Sequence, residues 1–160
     1  MLQVTQNLKT GKLILQECPA PALSNGNILI RTHYSLISAG TEGSKVTTAK
    51  KGYLGKAKEK PDQVKKVIDS IKSEGLLPTY KNVMNKLDSP SPLGYSSAGE
   101  VVEVYDQHSK FRVGDIVACA GTTAAHAELV VVPENLCAQI PKGVSAKHAA
   151  YTTVGAIALQ

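Results

Sequence analysis

The hydrophobic pattern starts with strand texture, passes to helical spacing, returns to strand texture and ends helical. Leu2 to Leu8 and Lys12 to Gln16 flank Lys9-Thr10-Gly11, a short turn of the residues that hairpins use. Beyond Pro19, Pro21 and the turn Ser24-Asn25-Gly26-Asn27 comes Ile28 to Ile37, rich in Ile, Leu, Thr and Tyr. Its imperfect alternation predicts a strand covered at least in part on both faces.

Helical spacing then takes over. Val64, Val67, Ile68 and Ile71 make an i, i+3, i+4, i+7 stripe, with Pro61 and Asp62 suited to the first turn and Gly75 to the stop. Tyr80, Val83, Met84 and Leu87 repeat the pattern after Pro78-Thr79. Two short amphipathic helices are expected. Strand texture resumes at Ser96 to Tyr105, Asp115 to Ala120, Ala127 to Val132 and Cys137 to Ile140, with turns at Val113-Gly114-Asp115 and Pro133-Glu134-Asn135. Short strands so spaced predict a compact β-barrel or sandwich-like domain. From Ser145, a plausible N-cap, the pattern is helical through Ala149 to Leu159 with no stop signal before Gln160, which suggests a fragment of something longer.

Charge adds to this picture. Eleven Lys and four acids lie between Lys45 and Lys86, a local balance of +7, whereas the rest of the chain holds seven bases and nine acids. The pI near 9.1 therefore belongs to one helical module. Thirteen Gly, eight Pro and 42% hydrophobic residues describe a turn-rich globular protein. No apolar run is long enough for a membrane span, and Met1 to Thr10 lacks signal-peptide character. Cys18, Cys119 and Cys137 are too scattered for a disulfide framework, so a reducing, cytoplasmic location is the default. Cys119 and Cys137, each in a strand pattern, read as packed core residues, and His33, His108, His126 and His148 show no ligand spacing.

Three segments in order resemble the catalytic, GroES-like domain of the medium-chain dehydrogenase/reductase superfamily, which includes zinc alcohol dehydrogenases and zinc-free quinone reductases. They are ILIRTHYSLISAGTE at Ile28 to Glu42, LGYSSAGEVVEV at Leu93 to Val104, and Phe111 to Gln160 with FRVGDIVACAG, HAELVVVPENLCAQIPKGVS and AAYTTVGAIALQ. The resemblance implies a mainly β fold, a partly open GroES-like barrel over residues 1–44 and 89–144, with a Lys-rich helical insert at 45–88. Residues 145–160 would begin the helix that leads to an absent Rossmann domain. No G-x-G-x-x-G follows a strand, so NAD or NADP would be bound mainly by that domain.

In zinc-dependent relatives the Cys of Cys-Gly-Thr-Asp and the His and Glu of Gly-His-Glu help to hold the catalytic metal. Here the matching positions are Ala39, Tyr95 and Ser96, and a methyl and two hydroxyls are poor zinc ligands at neutral pH, so no zinc is expected. Hydride transfer still needs a donor for the developing oxyanion. Thr41 and Tyr95 are the candidate catalytic residues, each with a hydroxyl on a segment that the resemblance places at the cleft. Gly40, Glu42 and Ser96 are expected to line it, with Glu42 also suited to orienting the turn. The alternative for this pair is that Thr41 caps a turn and Tyr95 packs beneath the cofactor.

The expected function is thus the catalytic-domain part of a zinc-free, NAD(P)-dependent oxidoreductase. It would act on an alcohol or carbonyl, a sugar derivative among the candidates, and the fragment alone would be inactive. The insert and Gly94 to Gly99 also resemble a bidomain group in which a glucose-fructose oxidoreductase-like part follows. A small-molecule substrate and a homo-oligomer are the expected partners. Two rivals are a non-catalytic GroES-like assembly domain and a nucleic-acid module built on the basic insert.

Overall fold

The structure, a computed structural model of the 160-residue chain, describes residues 1–50, 55, 58 and 61–160. The Lys-rich segment falls partly on residues 51–54, 56, 57, 59 and 60, which lie outside the described residues. Two compact units result: Met1–Val4, Leu15–Ser38 and Pro92–Gln160 form the first, Thr5–Ile14 and Ala39–Ser91 the second. The expected insert, 45–88, falls inside the second unit, which also takes in the hairpin turn at residues 5–14.

Strand β1 (Leu2–Asn7) and β2 (Leu13–Glu17) form the expected hairpin, with Gly11 at φ 73° in its turn. They belong to a three-stranded sheet of order β2-β1-β4, in which β4 is the short Pro90–Pro92. The first unit is built on a five-stranded antiparallel sheet of order β7-β3-β5-β6-β8, where β3 is Asn27–Ser35, β5 Ser96–Val104, β6 Ile116–Ala120, β7 Leu129–Pro133 and β8 Cys137–Gln139. The fold is mainly β, as expected, and the barrel is realised as two open sheets, neither of which closes on itself.

Register explains the core. Ile30 stands opposite both Val101 and Val130, and Ile28 opposite Val132 and Val104, so one face of β3 meets apolar partners on both sides. Ile28, Ile30, Val101, Val117 and Val132 are completely buried and join Phe111, Cys119 and Cys137 in one cluster. The other face of β5 and β6 is covered too: Ala98 and Ala118 pack against Ala149 and Ala150 at the end of the short helix Ala146–Ala149. Small side chains on that face let a helix approach closely. Gly99 belongs to the same economy of space, because a Cβ there would meet the Arg31 carbonyl of the neighbouring strand.

The helices are α1 (Thr41–Lys50), α2 (Pro61–Glu74), α3 (Leu76–Asp88), α4 (Ala146–Ala149) and α5 (Thr152–Ala158). Gly75 stops α2 as expected, at φ 90°, but α3 follows at once, so Pro78 lies inside its first turn and not before it. A proline is tolerated there because the first N–H groups of a helix lack intrahelical partners. Ser145 caps α4 by accepting from the His148 N–H, and the helical pattern expected through Leu159 is interrupted at Ala150 and Tyr151. Among the described residues no helix is long and apolar enough to cross a membrane.

Candidate functional site

In the first unit, the approach to β5 is set by one glycine. Gly94 takes φ 100°, and a Cβ on it would fall 2.6 Å from the His126 amide nitrogen. Only a residue without a side chain lets Leu93–Tyr95 run this close to Ala125 and His126. The His126 N–H donates to the Leu93 carbonyl at 2.7 Å and the Gly121 N–H to the Tyr95 carbonyl at 3.0 Å. Tyr95 is therefore fixed through its backbone while its ring stays half-buried.

Ser96, next along, is 1% exposed; its hydroxyl donates to the Ala150 carbonyl at 2.7 Å, and its own carbonyl accepts the Leu36 N–H at 2.9 Å. The side chain ties β5 to the end of α4, a bond across 54 positions of sequence. A hydroxyl so engaged is a brace in the sheet.

Gly40, Thr41 and Glu42 belong to the second unit. The Gly40 carbonyl accepts the Ser44 N–H at 3.0 Å, which starts α1, and Thr41 opens that helix with its side chain exposed. Glu42 lies in the first turn and is 4% exposed. A carboxylate there complements the positive end of the helix.

The sheet also assembles a polar row that the sequence did not signal. Ser35 stands opposite Ser97, Ser97 opposite Cys119, and Cys119 opposite Cys137, so four small polar or thiol residues share one face across four strands. His126 Nδ1 lies 2.9 Å from Ser35 Oγ at the end of this row, beside Gly94. Ser35 and His126 are 91 positions apart, and no local spacing announces such a pair.

The two thiols perturb each other. The Cys137 thiol is held below its ordinary value by a hydrogen bond from Cys119, with help from the Lys110 ammonium against burial. The Cys119 thiol is pushed well up, first by its bond to Cys137 and then by burial. Below this part of the sheet, β6, β8 and α5 border an open groove of about 350 Å³ lined by Ala118, Leu136, Ala138, Thr153 and Ile157. Thr153 Oγ1 donates to the Cys119 carbonyl at 3.4 Å across its wall. Among the described residues, no three His, Cys, Asp or Glu side chains gather as a metal-holding group.

Residues 67–142 match the alcohol dehydrogenase GroES-like domain, a span that starts within α2 and ends just beyond β8. A quinone oxidoreductase of Pseudomonas aeruginosa is 42% identical over 62 residues, 38% of this chain and 19% of that protein. Among solved structures, galactitol-1-phosphate dehydrogenase from Escherichia coli superposes with a TM-score of 0.64 at 13% identity, covering 94% of this chain and 41% of the other. Escherichia coli quinone oxidoreductase complexed with NADPH gives 0.59 at 18% identity, covering 95% of this chain and 37% of that one. At such identities the likeness is one of fold. The chain spans about two-fifths or less of the length of these structures and about one-fifth of the curated relative.

Proposed function

We propose that this chain, whose residues 67–142 match the alcohol dehydrogenase GroES-like domain, forms the substrate-facing part of an NAD(P)-dependent oxidoreductase of the medium-chain dehydrogenase/reductase type. The observation that carries this is the matched span itself, which contains the whole of β5, the Gly94 turn and Tyr95. A nicotinamide, held mainly by chain outside these 160 residues, supplies or takes the hydride when bound. The NADPH complex of the quinone oxidoreductase neighbour supports that choice of cofactor.

The residues of this chain act on the oxygen of the substrate. Tyr95, in the first unit, offers a hydroxyl donor to the negative charge that grows on a carbonyl oxygen as hydride arrives, and in the reverse direction it accepts the hydrogen bond of the alcohol being oxidised; Thr41, at the start of α1 in the second unit, is the other candidate donor. Tyr95 is suited to this by a backbone held at Leu93 and at its own carbonyl, which fixes where its side chain starts. Gly40 and Glu42 shape the start of α1 behind Thr41.

The donor set supports a zinc-free reaction. Ala39 offers a methyl group, and the Ser96 hydroxyl is buried and given to the Ala150 carbonyl. Those groups do not fit a tetrahedral zinc. For the substrate, the curated relative favours a quinone and the galactitol-1-phosphate dehydrogenase neighbour a sugar derivative, and both are carbonyl or alcohol chemistry.

The test is nicotinamide oxidation by the full-length protein against a panel of quinones, aldehydes and sugar-derived ketones after exhaustive chelation. Turnover on at least one class that survives chelation is expected. Absence of turnover with NADH and NADPH across the panel would overturn the proposal, and turnover that returns only with added zinc would overturn its metal-free form.

A further inference from the structure

We infer that Cys119 and Cys137 are a redox modification site, in which a hydroperoxide converts the two thiols into a disulfide bridging β6 and β8. Both thiols are free and lie directly opposite each other on adjacent antiparallel strands. The Ile140 N–H donates to the Ile116 carbonyl at 2.9 Å, which makes Val117 and Gln139 a non-hydrogen-bonded pair. Two residues along each strand, Cys119 and Cys137 are therefore the next pair of that kind. In such pairs the Cα atoms stand about 4.5 Å apart with side chains on the same face, inside the roughly 4.4–6.8 Å window that a disulfide needs.

Access comes from the edge. β8 is three residues long and lies outermost in the sheet, and Cys137 is 7% exposed against 2% for Cys119. A strand held on one side only opens locally at lower cost than a central one. Cys137 is also the thiol that feels the charge of Lys110, which favours its thiolate. The order of events follows from this. The Cys137 thiolate attacks one peroxide oxygen; an S–O bond forms, the O–O bond breaks, and the departing oxygen takes up a proton as alcohol or water. The Cys119 sulfur then attacks the Cys137 sulfur; an S–S bond forms, the S–O bond breaks, and hydroxide leaves with the Cys119 proton as water. The two sulfurs together lose two electrons and the peroxide gains them.

Cys18 provides an internal control. Its thiol is half-buried, with the Met1 carbonyl and Gln3 Oε1 at 3.8 and 3.7 Å and no cysteine opposite it. The experiment treats the native full-length protein with a small excess of hydrogen peroxide, alkylates what remains, and maps the peptides without reduction. Expected are a loss of two hydrogen masses, a cross-linked peptide joining Cys119 to Cys137, an alkylated Cys18, and reversal by dithiothreitol. A Cys137→Ser variant is expected to lose the cross-link, and a Cys119→Ser variant to stop at a dimedone-reactive Cys137. Should either variant fail to fold, the wild-type map decides alone. Cys119 and Cys137 still alkylated after Cys18 or methionine has gained oxygen, or disulfides pairing Cys18 as often as the other two, would overturn the inference.

Discussion

The five-stranded sheet and the helical pair α2–α3 use the same kinds of apolar residue to different ends. In the sheet, Ile28, Ile30, Val101, Val117 and Val132 lose all contact with solvent. In α2 no residue is fully buried, although its apolar stripe is as regular as any in the chain, and α3 buries only Thr79. The helices pack on each other, yet Ile68 stays 48% and Leu77 73% exposed. The difference teaches that a clean period is a statement about which face a residue shares, not about how much it is worth. Stability should reside in the sheet, where register brings partners from two neighbouring strands onto side chains such as Ile28 and Ile30.

That contrast can be broken or sharpened by substitution. Ile30→Ala removes a side chain packed between Val101 and Val130 and should cost about 2–5 kcal/mol, read by thermal or denaturant unfolding; a cost near zero would move the core elsewhere. Tyr95→Phe in the full-length protein keeps the packing of the ring and deletes its donor, so turnover should fall about 100-fold with cofactor affinity retained. Unchanged turnover would remove the Tyr95 hydroxyl from the reaction. Ser145→Ala deletes the cap of α4 and should cost about 1 kcal/mol. Ile68→Ala, on the open stripe of α2, should change stability by about 0.5 kcal/mol or less. If instead it matched Ile30→Ala, the helical pair would have to be covered by something that buries it.

Local chemistry was legible where one segment carries its own signal. The strand runs, the Gly75 stop and the Ser145 cap each depend on residues within a few positions, and each is seen in the structure. α1 was hidden because TEGSKVTTAK has no apolar stripe and includes a glycine. β4 was hidden by its two prolines, which read as punctuation. The resemblance offered the segments around Thr41 and Tyr95 as candidates, but it could not foresee that the Ser96 hydroxyl is given to Ala150, since that bond joins distant parts of the chain. The row from His126 through Ser35 and Ser97 to the two cysteines was invisible for the same reason: register created it, and register is not a local property.

The open sheet has a consequence for how molecules of this chain meet one another. An unclosed sheet offers unpaired amide rails on which another chain could add a strand and start an aggregate. Here each rail is cut short. On one side the rail is only three residues long, and on the other it ends at Pro133, which has no N–H to give. The stretch leading into β7 is already occupied, since the Val4 N–H reaches the His126 carbonyl and the Glu128 N–H the Leu2 carbonyl. The first residues of the chain thus act as a guard strand, and trimming them would lower solubility before it touched the core.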